Sequence, residues 1–386
     1  MLILFSLLSF AIWVVLFFTW GNFWRVWESD FDRAQIPLPR IWPAITAIIP
    51  ARNEAVSIAA VVRALAAQSY AGKFTMIIVD DQSEDDTREL ARKAAHEAGA
   101  GFPIRVVSAP EMASGWTGKL WALNTGVLES SGSVPEFFWF SDADVIHAPD
   151  TLQRLVSCAE IGKLDLTSLM VRSNCETFAE RLLIPPFLYF FLMLYPPKWI
   201  ADRHARTAGA AGGCILLRRV ALERIGGLST IRGEVIDDCA LARAVKKSGG
   251  KIWMGLTRAS RSLRSYTNFS EICDMIARTA FTQLRYSGLL LLGALSGLTL
   301  TFLLPVILTF SANIRVWPFA LAAWCLMTAS FLPVVTYYRL RPIWAPLLPL
   351  AALFYGYATC LSAVRYWLGR GGQWKGRAQA RRTSPL

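Results

Sequence analysis

Two carboxylates, Asp142 and Asp144, emerge in quick succession from the uniformly apolar run Phe137-Phe138-Trp139-Phe140. Such a run reads as a buried strand, and a carboxylate leaving it is costly to desolvate unless a cation or a hydrogen-bonding ligand meets it. A divalent metal is the natural partner for the pair. The plainer reading is a polar turn, in which Asp-x-Asp is common. Two further acidic pairs have the same kind of setting: Asp80-Asp81 closes an apolar run, and Asp237-Asp238 opens a helical pattern that continues through Leu241, Ala244 and Val245. A strand-end carboxylate can accept hydrogen bonds from an imide or from ribose hydroxyls. Two acids at a helix start are either a cap favoured by the macrodipole or a general base held ready.

Other groups stand near these pairs in the chain. Pro50-Ala51-Arg52-Asn53-Glu54 ends the first apolar run, and Ser83, Asp85 and Asp86 precede a helical pattern, where they serve as caps. Lys119 follows Gly118, but a phosphate-binding P-loop needs a glycine five residues before the Gly-Lys pair and Ser or Thr after it; Ala113 and Leu120 occupy those places. Lys119 is therefore either a helix-start lysine that attracts a diphosphate or a solvated surface cation. Thr282-Gln283-Leu284-Arg285-Tyr286 brings a guanidinium and a ring to the edge of a long apolar stretch, where arginine is ordinarily a membrane-border anchor.

The elements that must position these residues alternate between strand-like and helical patterns. Strands are expected at 45–51, 75–81, 104–109, 137–141, 166–171 and 214–217, and helices at 57–68, 87–97 and 150–159. That alternation predicts an α/β domain with a mostly parallel, Rossmann-like sheet, whose ligands gather beyond the carboxyl ends of the strands. The acidic pairs lie at those ends.

The rest of the chain is not that of a soluble enzyme. Of 386 residues 54% are hydrophobic and 18% charged, and mean hydropathy is +0.38. Residues 2–20 carry no charge, and 287–314, 316–338 and 342–364 are three more uncharged stretches long enough to span a bilayer. The expected plan is an N-terminal anchor (1–21), a catalytic domain (40–286), three transmembrane helices (287–366) and a basic tail (367–386). The first stretch lacks the basic flank and the cleavage site of a signal peptide, so it reads as a retained anchor. Trp20, Trp24, Trp27, Trp317, Trp344 and Trp367 sit at segment ends, as interfacial rings do. Residues 182–197 are apolar but interrupted by Pro185-Pro186 and Pro196-Pro197, which predicts an interfacial or re-entrant element or a buried core helix.

The net charge of +12 comes largely from residues flanking apolar segments and from the tail (Arg365, Arg370, Lys375, Arg377, Arg381, Arg382), so anionic lipid is a simpler partner than nucleic acid, for which no motif is present. Arg25, Arg33 and Arg40 predict a cytoplasmic catalytic domain on the inner membrane with the N-terminus outside; three spans would then put the basic tail outside, against the positive-inside tendency, so either one stretch does not fully cross or the tail is an exception. Seven scattered cysteines without a Cys-x-x-Cys pair, with only three histidines, give neither a disulfide framework nor a zinc site.

Taken in order, these motifs resemble those of inverting family 2 glycosyltransferases of the GT-A fold over roughly residues 45–286. Pro50 to Glu54 and Asp80-Asp81 resemble the family's nucleotide-binding elements, and Asp142-Ala143-Asp144 its metal motif. Asp237-Asp238-Cys239-Ala240-Leu241 resembles the Glu-Asp-x-x-Leu element, which implies Asp238 as base. Residues 282–286 resemble Gln-x-x-Arg-Trp, with Thr282 and Tyr286 replacing the usual Gln and Trp. The anchor and C-terminal spans are similar to those of ceramide glucosyltransferases, and the whole chain to the hopanoid-biosynthesis-associated branch. The resemblance implies a hexose moved from a nucleotide sugar, UDP by default, to a lipid acceptor, with Mg²⁺ or Mn²⁺ on Asp144 and Asp142. The substrate contacts it implies are Pro50, Arg52, Glu54, Asp80, Asp81, Lys119, Asp142, Asp237, Gln283, Arg285 and Tyr286. A membrane protein that binds nucleotide sugars without chemistry is the alternative. A transporter is disfavoured, because no charge lies inside the spans.

Overall fold

The computed structural model describes residues 1–26, 37–99, 103–130, 132 and 134–371, together with the backbone of 373–374 and 377–378. Trp27, Arg33, Lys375, Arg381 and Arg382, named above, lie outside these. After helix α1 (Leu2–Phe18), strand β1 (Ile45–Ala51) is buried at every position, as a strand covered on both faces must be. It is followed by α2 (Ile58–Ala66), β2 (Phe74–Asp80), α3 (Thr87–Glu97), β3 (Ile104–Ser108), α4 (Gly118–Glu129) and β4 (Phe137–Ser141). Then come β5 (Val145–His147), α5 (Thr151–Gly162), β6 (Leu166–Arg172), α6 (Phe178–Leu194), α7 (Pro197–Ala201) and β7 (Cys214–Arg218). Helices α8 (Arg219–Arg224) and α9 (Asp237–Lys247), strand β8 (Ile252–Ser262), and helices α10 (Phe269–Ala277) and α11 (Ala280–Gln283) complete the domain.

The eight strands form one sheet in the order β3-β2-β1-β4-β7-β6-β8-β5. β3, β2, β1 and β4 run parallel, as expected; β7 is antiparallel to both neighbours, and β5 is antiparallel to β8. The sheet is therefore mixed. Two of its strands, β5 and β8, fall outside the six expected. β5 has only three residues, and β8 alternates poorly because Gly255, Arg258 and Arg261 interrupt it. A buried histidine fastens this edge: Ser141 Oγ lies 2.9 Å from His147 Nε2, and His147 Nδ1 lies 2.8 Å from Ser260 Oγ. Burial pushes His147 down to about 3, so the ring is neutral.

Of the readings offered for 182–197, helix α6 fits the buried core helix rather than an element broken at its prolines. Pro185 and Pro186 lie inside a continuous helix and are buried there, and a capping box between Thr177 and Glu180 starts it. Tertiary packing outweighs the lost backbone donors. With α7, the stretch Phe178–Ala201 is long and apolar enough to cross a membrane, as are Gly288–Thr309, Trp317–Tyr337 and Pro342–Trp367. More than half of the first is buried within the protein, whereas Gly288–Thr309 is mostly exposed. Residues of α6 and of the β4–β7 face belong to one continuous hydrophobic core with the C-terminal helices.

The C-terminal helices are α12 (Gly288–Leu298), a π-helical turn at Thr299–Leu303, α13 (Leu304–Thr309), α14 (Trp317–Tyr337) and, after a 3₁₀ turn, α15 (Leu348–Trp367). The π turn has a local cause. Pro305 has no N–H, so it can serve neither Thr301 O in α register nor Leu300 O in π register. The N-terminal helix supplies both: Trp13 Nε1 donates to Thr301 O and Ser9 Oγ to Leu300 O, each at 2.7 Å. The N-terminal helix thus packs into the bundle beside α13 and α14.

Candidate active site

The carboxyl ends of β1, β2 and β4 meet at a pair of interlocked turns. Asn53 and Gln82, each the second residue after its strand's end, adopt positive φ, and the turns bond across: Asn53 N donates to Ser83 Oγ (3.1 Å), and Glu84 N donates to Asn53 Oδ1 (2.9 Å). Arg52 is buried and donates to the carbonyls of Asp81 (2.6 Å) and Gln82 (2.8 Å) and to Glu84 Oε1 (3.0 Å). Its guanidinium therefore holds the β2 turn. Asp80 accepts from Ser83 N at 3.3 Å, and Asp81 is fully buried. Ser57 Oγ donates to Ala143 O at 2.9 Å and so fastens the Glu54 turn to the Asp142-Ala143-Asp144 turn.

In front of these turns lies a cleft of about 300 Å³ that brings together Pro50, Glu54, Lys119, Asp142, Asp144, Asp237 and Asp238. Arg52, Asp80 and Asp81 do not line it and support it from behind. Lys119 is not solvated: its ammonium stands 2.8 Å from Asp142 Oδ1 and 3.6 Å from Asp237 Oδ2. Burial alone would discharge it, but Asp142, Asp237 and Asp238 around it hold its pKa well above the usual lysine value. It acts as the internal counter-ion of the acidic site.

Asp238 sits in the first turn of α9 with both oxygens engaged, accepting from Gly212 N (2.8 Å) and Cys239 N (2.7 Å). A Cβ on Gly212 would lie 3.0 Å from Lys119 Nζ and 3.2 Å from Asp238 Oδ2, so only glycine leaves room for that approach. Burial and then the adjacent Asp237 charge push Asp238 up to about 6; Lys119 and the two N–H donors oppose the rise. Asp144, fixed by the bond from Leu263 N to its carbonyl (2.7 Å), is also pushed up to about 6, by burial and then by Asp142 and Glu54.

These acids are hard oxygen donors crowded by like charge, which suits a divalent cation. Among the described residues no group of three or more His, Cys, Asp or Glu side chains is arranged to hold a metal. Asp144 and Asp142 would supply only part of a coordination shell, with substrate phosphate and water completing it, as is usual for Mg²⁺.

The lining of the cleft also takes two rings from α6, Phe187 and Phe191. The sequence hid this contribution, because nothing in the α6 pattern distinguishes the cleft-facing rings from those in the core. Gln283, Arg285 and Tyr286 do not reach the cleft. Gln283 Nε2 donates to Tyr195 Oη, Tyr286 stacks on Tyr366 (4.2 Å between centroids), and Arg285 is exposed with positive φ. Tyr286 and Thr282 instead border a shallower depression formed by residues 229–235.

Comparison with known proteins agrees with this arrangement. Residues 46–226 match the model of Glycosyl transferase family 2. An N-acetylglucosaminyltransferase of Mesorhizobium japonicum is 29% identical over 194 residues, 47% of this chain and 41% of that protein. Glycosyltransferase AglE of Haloferax volcanii is 31% identical over 143 residues, 36% of this chain and 44% of that protein. The chain thus covers less than half the length of either relative. The mannosyltransferase PcManGT of Pyrobaculum calidifontis, solved in complex with GDP-Man and Mn²⁺, superposes with a TM-score of 0.57 at 18% identity, over 94% of this chain and 99% of that one. That likeness is one of fold. Residues 46–226 thus match the Glycosyl transferase family 2 model, and the chain has an α/β fold of GT-A type.

Proposed function

We propose that the chain is a membrane-bound inverting glycosyltransferase that moves a hexose from a nucleotide sugar, by family default a UDP-sugar, to the hydroxyl of a lipid acceptor. Hopanoid-related metabolism is the setting suggested by the sequence resemblance. The observation that carries the proposal is the composition of one cleft, whose lining joins a cluster of acidic side chains to aromatic rings of an apolar helix.

Asp238 is the base. Its oxygens are oriented by Gly212 N and Cys239 N, and its raised pKa makes it a better proton acceptor than an ordinary aspartate. It takes the acceptor's proton as the acceptor oxygen attacks the anomeric carbon and the nucleoside diphosphate leaves from the opposite face, with inversion. Asp144 and Asp142 would hold Mg²⁺ or Mn²⁺, whose charge would offset that of the departing diphosphate. Lys119 keeps Asp142 and Asp237 oriented while it offsets their charge. The carbonyl-terminated turns at Glu54 and Asp80-Asp81 are the proposed seat of the nucleoside. The domain works at the cytoplasmic face of the membrane.

Substituting Asp238→Asn keeps the carbonyl oxygen and the size but removes the base. Transfer to extracted membrane lipid should fall by about 10² to 10⁴, while nucleotide-sugar binding stays within a few-fold. An Asn variant that retains transfer refutes the assignment.

A further inference from the structure

A second cleft, of about 880 Å³, lies between α10 and the end of α15. Arg264, Tyr266, Met275 and Arg278 line both it and the catalytic cleft, so the two spaces share a wall. Its far side is apolar, formed by Leu361, Val364 and Leu368 of the last bundle helix.

The charges at the junction are unequal. The acids of the second cleft are already engaged: Asp274 pairs with Arg365 at 2.7 Å, and Glu271 accepts from Thr267 N (2.8 Å), Thr267 Oγ1 (3.0 Å) and Asn268 Nδ2 (3.0 Å). Arg264 and Arg278 are exposed and have no carboxylate within ion-pair distance among the described residues. Two guanidiniums outside any close ion pair, Arg264 feeling Asp144 and Glu271 only at longer range, stand beside an apolar groove and complement an anion at the head of a hydrocarbon chain.

Resting on the transferase reading above, we propose that the acceptor is a membrane amphiphile carrying both a hydroxyl and a separate phosphate-class anion. Its chain lies along Leu361, Val364 and Leu368, its anion meets Arg264 and Arg278, and its hydroxyl reaches Asp238. The two groups are distinct because a base is needed for an alcohol nucleophile, whereas a phosphate monoester is already ionised near neutral pH.

The test uses the full-length protein in phosphatidylcholine nanodiscs, titrated with phosphatidylglycerol or with neutral diacylglycerol, with bound lipid counted by native mass spectrometry. Phosphatidylglycerol should bind preferentially. Arg264→Gln with Arg278→Gln should weaken it about tenfold or more, as loss of charge-assisted bonds does. Val364→Trp should block the groove by bulk without changing charge, whereas Arg203→Gln with Arg206→Gln, on the exposed loop after α7, should have no effect. Hydrolysis of a panel of nucleotide sugars, followed in parallel, reads the donor site and should be unchanged in the Arg203 and Arg206 control, whose residues line neither cleft. Equal binding of the two lipids, or undiminished phosphatidylglycerol binding in both the arginine and Val364 variants, overturns the proposal. Loss of donor hydrolysis on removing the arginines assigns them to the donor diphosphate and overturns it as well. A wild-type protein that turns over no nucleotide sugar refutes the transferase reading instead, independently of the lipid result.

Discussion

The bond between Trp13 and the π turn can be weighed quantitatively. Trp13 is fully buried, packs edge-on against Phe302 at 5.5 Å, and donates to the carbonyl that Pro305 cannot serve. Trp13→Phe keeps a ring but leaves Thr301 O without that donor. An unsatisfied buried carbonyl costs about 1–3 kcal/mol in general, and measured interhelical bonds in membranes average about 0.6 and reach about 1.7 kcal/mol. Taking about 1 kcal/mol for the bond and about 1 kcal/mol for the smaller ring, the variant should lose about 2 kcal/mol. Pro305→Ala restores an N–H at the place where it is missing. In that background Trp13→Phe should cost only the packing share, about 1 kcal/mol, which gives a coupling of about 1 kcal/mol between residues far apart in sequence. Reversible unfolding of the four proteins in one detergent measures the cycle. If Trp13→Phe costs the same in both backgrounds, to within about 0.3 kcal/mol, the account of the π turn is wrong.

Further outcomes test the domain itself. If Asp238 is the base, as proposed, it must be ionised to act, and because it is pushed up to about 6, kcat/KM should rise with pH through an acid limb near 6; a limb near 4 would disconnect it from proton transfer. Glu180 is fully buried and accepts from Glu176 N, Thr177 N and Tyr266 N, so Glu180→Gln should turn an amide donor toward a backbone donor and cost about 1–3 kcal/mol in thermal unfolding. On Gly126 of α4 a Cβ would stand 2.4 Å from Ile48 Cγ2 and 3.2 Å from Val79 Cγ2. Gly126→Ala should therefore destabilise by about 1–3 kcal/mol despite its better helix propensity, and a stabilised variant would contradict the packing of α4 on β1 and β2.

Much of the domain is legible because its strands are buried on both faces and read as apolar runs ending in polar turns. Strands β1 and β4 occupy the expected residues, β3, β6 and β7 differ by one residue at one end, and β2 starts and ends one residue early. The acidic pairs were visible for the same reason, since carboxylates stand out at the end of such a run. What could not be read depends on partners distant in sequence. Lys119 is an internal counter-ion only because Asp237, more than a hundred residues on, folds beside it. Arg52 has a motif position suited to a ligand, yet it is satisfied by the carbonyls of the next turn. The prolines of α6 signal a break by local rules, and burial among the bundle helices overrides them.

Three phenol hydroxyls join the sheet domain and α6 to the bundle: Tyr337 to Thr257 O at 2.6 Å, Tyr355 to Leu183 O at 2.9 Å, and Tyr189 to Ser330 Oγ at 2.6 Å. On the proposed reading, phenols pinned at this seam would hold Asp238 at a set height above the lipid plane rather than on a swinging arm. On the proposed reading that height is a ruler. An acceptor hydroxyl standing at the right elevation reaches Asp238, while the same lipid lengthened by one sugar carries its new hydroxyls past the base. The enzyme would then stop after a single addition because its product has outgrown the gap.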